Sequence, residues 1–338
     1  MGMPAHGCQP RGGRPADRVL TAGRVAVEGV SRNRLSELYL RSTDQCSGRS
    51  RMSRPTALVT GAARGQGRSH ALAFAERGMR VALLDVASPV SPLQYRPSTA
   101  GDLDETARLV EAAGATALPV RCDVRDDGQV GAAVAAVRSA FGSIDVAVLN
   151  QGIWSTGPFW EITEEQWTAT YDVNVHGTWR LMKAMAPALI EQRGGSVVII
   201  GSTSATVPTS GYAHYASSKA ALVQLAKVFA LELGGYGVRV NSVSPGLVNT
   251  PMIHFQDIYD RVRPGASRED FLRAAYATTA LAGRGHLDPA SVTAAVLWLC
   301  SDAARDITGT DLIVDAGNRL LPRRNPNPTI TDEAEEHR

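Results

Sequence analysis

From Pro55 onward, short apolar runs alternate with longer stretches of helical period. Thr56–Thr60 is an apolar run of strand length, and a glycine-rich turn and a helical stretch to about Arg77 follow it. The alternation recurs, with strands expected at 81–85, 116–121, 144–149, 196–200, 238–243 and 311–314. Helices are expected at 102–113, 129–141, 164–192, from Tyr215 to about Leu233, and at 289–301. This pattern predicts an α/β fold: a single doubly wound parallel seven-stranded sheet with helices on both faces, over residues 54–320. Two stretches break the alternation. Residues 86–101 hold three prolines (Pro89, Pro92 and Pro97) and read as a loop inserted after the second strand. Residues 251–285, rich in Phe, Tyr, Ile and Leu, read as a mobile helical lid over a pocket.

The ends of the chain look different. Residues 1–53 are rich in Arg, Gly and Ser, and the weak patterns at 24–30 and 34–40 promise no core, so the segment is expected to be disordered. A start set too far upstream, with Met52 as initiator, is the simpler explanation for it; its acids argue against a transit peptide. Residues 321–338 read as a flexible tail. Charge follows the same division. Residues 1–54 carry ten Arg against four acids, +6 of an overall +2, so the remainder stands at −4 and offers no basic face for nucleic acid. Cys8, Cys46, Cys122 and Cys300 lack metal-ligand spacing, and free thiols in a reducing cytoplasm are expected. No apolar run approaches the roughly 20 residues of a membrane span.

Several constellations carry candidate chemistry. Tyr215 and Lys219 are four residues apart, on one face of the expected helix. An ammonium nearby favours the phenolate, so the phenol is expected to titrate below its ordinary value and to exchange a proton with an alcohol or carbonyl oxygen. Such spacing alone is structural in most proteins. Gly61, Gly65 and Gly67, with Arg64 and Gln66 among them, follow the first strand and open a helix, as a turn that admits a pyrophosphate does. Asp85 ends the second strand, where an acid accepts from both ribose hydroxyls and repels a 2′-phosphate, favouring NAD over NADP. Arg64 is a counter-signal, since it could hold that phosphate. Asp123 and Val124 follow the third strand, where the carboxylate could meet an adenine amino group. Asn150, Gln151 and Gly152 follow the fourth, at the sheet edge where ligands bind. Each of these is equally suited to forming a turn. Ser202, with Ser204 as its rival, lies after the fifth strand. Asn174 interrupts a long helix with a polar side chain that could kink it or hold a water, and His176 beside it reads as structural.

In their order, Thr60-Gly61-x-x-x-Gly65-x-Gly67, Asn150-Gln151-Gly152, Asn174, Ser202, Tyr215-x-x-x-Lys219 and Pro245-Gly246 resemble the short-chain dehydrogenase/reductase family across residues 55–318. The resemblance implies a Rossmann-type fold with Tyr215 as acid/base and Ser202 orienting the substrate oxygen. Lys219 would hold the nicotinamide ribose and lower the Tyr215 pKa, and Asn174 would steady a relay water. Pro245 and Gly246 would lie beside the nicotinamide, with Val248 and Thr250 near its carboxamide. Gln151 replaces the family's usual Ala. The stretch Gly61–His70, the insertion and Ala213-His214-Tyr215 are similar to the mycofactocin-coupled, carveol-dehydrogenase-like subfamily, which implies tightly held NAD and an external redox carrier. A homotetramer is implied as well. The lid residues Ile253, Phe255, Tyr259, Phe271 and Tyr276, with Trp154, Phe159 and Trp160 as a second wall, suggest a hydrophobic alcohol or ketone substrate. An NADP-dependent carbonyl reductase and a non-catalytic dinucleotide-binding regulator are the alternatives.

Overall fold

The structure is a computed structural model in which residues 54–90 and 93–321 are described. The extension 1–53 (with Met52, Cys8 and Cys46), the tail 322–338 and Pro92 lie outside the described residues. In chain order the main elements are β1 (Thr56–Thr60), α1 (Gly65–Ala75), β2 (Arg80–Asp85), α2 (Ala100–Ala112), β3 (Ala117–Arg121) and α3 (Asp127–Phe141). Then come β4 (Val146–Leu149), α4 (Glu164–Tyr171), α5 (Gly177–Gln192), β5 (Gly195–Ile200), α6 (Ala213–Gly234) and β6 (Val238–Pro245). The chain closes with α7 (Gln256–Tyr259), α8 (Arg268–Ala274), α9 (Pro289–Cys300) and β7 (Asp311–Val314).

The strands form one seven-stranded sheet in the order β3-β2-β1-β4-β5-β6-β7, every pair parallel. β1 explains why such runs fold this way. All five of its residues are buried, with Leu58 packing into one core layer and Ala57 and Val59 into the other. The first layer holds α3, α5 and α6, and the second α1, α2 and α9. The chain runs from β1 to β2 and β3, then returns to add β4 on the other side of β1. That reversal leaves a crevice at the carboxyl ends of β1 and β4.

The helix expected at 164–192 is two helices. A π-helical turn, Asp172–His176, joins α4 to α5 and contains Asn174, the polar residue expected to disturb it. The segment 251–285 is helical in short pieces: 3₁₀ turns at Pro251–Ile253 and Ala275–Thr278 flank α7 and α8. Ile253, Phe255, Ile258 and Phe271 from it are buried in one cluster with Tyr95 of the insertion and Trp154, whereas Tyr276 is exposed. Among the described residues, no helix is long and apolar enough to cross a membrane.

Two glycines separate packing from propensity. A Cβ on Gly67 would stand 2.0 Å from the Gly61 carbonyl oxygen, so the turn and α1 close only without one. Gly131 lies on an exposed turn of α3 with nothing within 4 Å of an added methyl. In urea unfolding, Gly67→Ala is expected to lose about 1–3 kcal/mol or more. Gly131→Ala should gain about 0.5–1 kcal/mol.

Candidate active site

A groove runs along the carboxyl ends of β1 to β4. Gly61, Arg64, Gly65, Gln66 and Asp85 line it, and so do Asp123, Val124, Asn150, Gly152 and Thr250. Gly61 and Gly65 sit at φ +61° and +56°, the left-handed region that glycine adopts without strain. The Asn150 carboxamide donates to the carbonyls of Thr60 (3.1 Å) and Gly61 (3.3 Å), stapling this turn to the end of β4. The first residue before α1, Arg64, contributes no side-chain cap, so the opening N–H groups of the helix carry none of the usual capping bonds. Arg64 Nη1 and Gln66 Oε1 are buried at the groove without a protein partner. Backbone turn, uncapped helix end and orphaned polar atoms together suit an anionic, phosphate-bearing ligand.

Two acids depart from expectation. Asp85 Oδ2 accepts from Ala63 N–H (3.0 Å), and Oδ1 accepts from Ala87 N–H (2.9 Å) and the Ser98 hydroxyl (2.7 Å). A carboxylate offers about four acceptor positions, so with Ser98 in place Asp85 has room for one ribose hydroxyl, not two. Asp123 meets the guanidinium of Arg125 through both oxygens, at 2.6–3.0 Å, rather than standing free for an adenine amino group. Burial pushes the Asp123 carboxyl up, and the bonds to Arg125 outweigh it and leave its pKa lowered.

Behind the groove wall lie the four residues predicted to be catalytic. A Cβ on Gly152 would stand 3.4 Å from both Lys219 Nζ and Asn174 Oδ1, so these side chains touch the wall from inside. Lys219, 4% exposed, donates to the Ile200 carbonyl at the end of β5 (2.8 Å). Burial pulls its pKa down to about 8. Its Nζ is 5.7 Å from the centre of the Tyr215 ring. Tyr215 hydrogen-bonds the Ser202 side chain, and Ser202 Oγ accepts from the Ser204 N–H at 3.1 Å. Ser202 therefore faces the phenol, and its rival Ser204 serves it through the backbone. The Asn174 carboxamide grips Ile153 on both sides, accepting from its N–H (2.8 Å) and donating to its carbonyl (3.0 Å), and also donates to Ser218 Oγ (3.0 Å). Both of its N–H groups are thus committed to protein partners, and its Oδ1 keeps one acceptor position. His176 is exposed and pairs with Asp172 (2.7 Å), a structural arrangement.

The phenol requires a correction. Instead of falling, the Tyr215 pKa is pushed up to about 12, first by burial; the Ser202 hydrogen bond opposes this and Tyr212 adds to it. Desolvation of the phenolate outweighs the four-residue spacing of the ammonium, which is itself destabilised by the same burial.

Besides Tyr215 and Lys219 behind the wall, four predicted cofactor residues lie off the groove lining. Gly67 is packed under the turn, and Pro245 is paired with Val314 in the sheet. Gly246 lies against Asp315, 3.1 Å from where its Cβ would stand, and Val248 bridges to Leu287. Gln151 turns inward, its amide lying between the Thr60 hydroxyl and Thr178 (2.9 Å), so the departure from Ala is absorbed between β1 and α5. Phe159 and Trp160 are 69% and 72% exposed and form no wall, whereas Trp154 is buried, 5.9 Å from the Tyr215 ring and 5.7 Å from Phe255. Three partners escaped the sequence reading. Tyr95 and Gln94 come from an aperiodic insertion, and Ser155 lies in a loop. His214 sat in a quoted motif without a role of its own.

Residues 61–319 match a family model described as enoyl-(acyl carrier protein) reductase. The chain is 41% identical to a (-)-trans-carveol dehydrogenase of Rhodococcus erythropolis over 273 residues, 78% of this chain and 97% of that protein. It is 40% identical to an uncharacterized NAD-dependent oxidoreductase of Mycobacterium tuberculosis over 263 residues, 77% of this chain and 94% of the relative. Among solved structures, carveol dehydrogenase from Mycobacterium avium in complex with NAD superposes with a TM-score of 0.77 at 32% identity, over 81% of this chain and all of that one. A short chain dehydrogenase from Mycobacterium paratuberculosis bound to NAD gives 0.73 at 35% identity, over 80% of this chain and all of that one.

The two shifted groups set opposite pH dependences. Lys219, depressed from 10.5 to about 8, binds fewer protons folded than unfolded between those values, so its contribution to stability rises with pH there. Tyr215, raised from 10.0 to about 12, binds more, so stability falls as pH rises above 10. Urea unfolding between pH 8 and 11 should show the rise lost in Lys219→Met and the fall lessened in Tyr215→Phe.

Proposed function

The chain belongs to the short-chain dehydrogenase/reductase family, and from that premise we propose an NAD-dependent oxidoreductase that interconverts a hydrophobic secondary alcohol and its ketone. The observation that carries this reading is the hydrogen-bonded pair Ser202–Tyr215, with Lys219 and Asn174, set directly behind Gly152 of a groove suited to a dinucleotide. The glycine turn and the N-terminus of α1 would hold the pyrophosphate, Asp85 the adenosine ribose and Lys219 the nicotinamide ribose. The nicotinamide, when bound, supplies the hydride chemistry. The protein's part is positioning and proton traffic. Ser202 hydrogen-bonds the substrate oxygen and Tyr215 gives or takes its proton. Asn174 holds Ile153, and through it the wall of the groove, in register with α6.

The substrate class follows from the aromatic cluster beside the phenol, in which Trp154, Phe255 and Tyr95 present apolar faces. A terpenoid-like or steroid-like alcohol suits it, in line with the carveol dehydrogenase likeness. The insertion supports the mycofactocin-coupled reading, with NAD retained and reoxidised by an external carrier. Ser98 bonds Asp85 at one end of the groove, and Gln94 donates to Asp257 of α7 (2.7 Å), so the insertion spans both. A homotetramer is supported by apolar side chains left exposed on three helices: Trp179 on α5, Leu231 on α6 and Trp298 on α9. One observation favours the NADP alternative, the unpartnered Nη1 of Arg64 beside Asp85.

Tyr215→Phe is expected to lower kcat for a cyclic secondary alcohol by about 10²–10⁴ while leaving NAD binding intact; retained turnover sinks the assignment. Asp85→Ala should narrow the preference for NAD over NADP by about tenfold, read from the two dissociation constants. Mass analysis of gently denatured protein should release NAD; NADP in its place would favour the Arg64 reading.

A further inference from the structure

Residues 153–156 leave β4 and pass in front of α6, and each is fastened by a different part of the fold. Asn174 holds both backbone groups of Ile153, at 2.8 and 3.0 Å. Trp154 Nε1 donates to the Met252 carbonyl (3.2 Å), and the Thr156 N–H donates to Gln94 Oε1 (2.8 Å). Ser155 Oγ hydrogen-bonds His214 Nε2 at 2.8 Å. This last fastening differs from the others because His214 directly precedes Tyr215 in α6. It ties the wall to the residue next to the reacting phenol.

Both partners are out of water: Ser155 is 2% exposed and His214 not at all. The other ring nitrogen, Nδ1, is buried with no partner, so the imidazole sits there at a cost that an apolar side chain would avoid. Burial also lowers the His214 pKa, favouring the neutral ring. The indole of Trp154, the residue before Ser155, lies between the Tyr215 ring (5.9 Å) and Phe255 (5.7 Å) and also meets Tyr212 edge-on at 5.2 Å.

We propose that His214 is a positioning residue: through Ser155 it fixes Trp154, and so sets the distance between the Tyr215 phenol and the apolar wall against which a ring-bearing alcohol lies. The inference rests on Tyr215 as the acid/base. A loosened indole misplaces a cyclic alcohol, whose ring needs the wall, and leaves a small acyclic one unaffected, because its carbinol is held by Ser202 and Tyr215 alone.

The test measures kcat/KM for cyclohexanol and for 2-propanol with NAD in the full-length protein. Ser155→Ala and His214→Leu are each expected to lower the cyclohexanol value by about tenfold or more, while 2-propanol changes by less than about twofold. The double variant should be no worse than either single, since both break one contact, and His214→Gln, which can reach Ser155, should restore most of the loss. Equal losses for both alcohols, or losses that multiply in the double variant, overturn the proposal. A second readout needs no turnover: acrylamide quenching of Trp154, taken as the difference between each variant and its Trp154→Phe counterpart. The indole should be shielded in the wild type and accessible in Ser155→Ala, where only a hydroxyl is lost. An indole that stays shielded overturns the positioning role. If the indole is freed while the wild type oxidises neither alcohol, the fastening stands and the alcohol dehydrogenase reading falls.

Discussion

The active site depends on one buried charge. Lys219 places an ammonium among apolar residues, where an unpaired charge costs several kcal/mol, and meets that cost with the carbonyl of Ile200. The bond fixes α6 to the carboxyl end of β5. Because α6 is rigid, Tyr215 one turn earlier is fixed with it, and Ser202, two residues past Ile200, is brought to the phenol. The meeting of Tyr215 and Ser202 is thus a property of how one helix is pinned to one strand end. The groove on the other side of Gly152 is a property of the reversal of strand order at β1 and β4.

Burial does two opposite things to this pair. It lowers the pKa of the ammonium and raises that of the phenol, so it shifts each group toward its neutral form, while Lys219 at about 8 still carries its charge near neutral pH. In the protein by itself, therefore, Tyr215 is a proton donor held in reserve. Positive charge delivered to the groove would favour the phenolate, as an opposite charge does anywhere in a low dielectric. Tuning of the acid/base thus belongs to the assembled site and not to the Tyr–Lys spacing.

That distinction marks the limit of what was legible in the sequence. Strand positions were most legible where a strand is buried on both faces and reads as an apolar run, as in Ala57-Leu58-Val59 of β1, whereas β3 and β7 at the sheet edges are only partly buried. The disturbance in the long helix was legible because a carboxamide at Asn174 has no place on a buried helical face unless it bonds elsewhere. Helical spacing told which groups meet but not in what dielectric, which is why the direction of the Tyr215 shift was missed. Side-chain direction was equally hidden. Gln151 looked out of place beside a nicotinamide, yet its amide is taken up at the groove lining by Thr60 and Thr178. Gly246 and Val248 follow β6 in the expected order, but they pack on Asp315 and Leu287.

The insertion shows what aperiodic sequence conceals. Within five residues it sends Gln94 to the wall at Thr156 and to α7 at Asp257, Tyr95 to the ring of Phe255, and Ser98 to Asp85. The groove at Asp85, the loop at Thr156 and the segment 251–285 therefore share one cover. Ordering any one of these contacts lowers the entropic cost of ordering the others, since the backbone between them is the same short stretch. A ligand engaging Asp85 must displace or share the Ser98 hydroxyl, and that displacement is felt four residues away, where Gln94 holds the wall that His214 holds from behind. In the proposed reading, cofactor and substrate would be coupled by the connectivity of this short stretch.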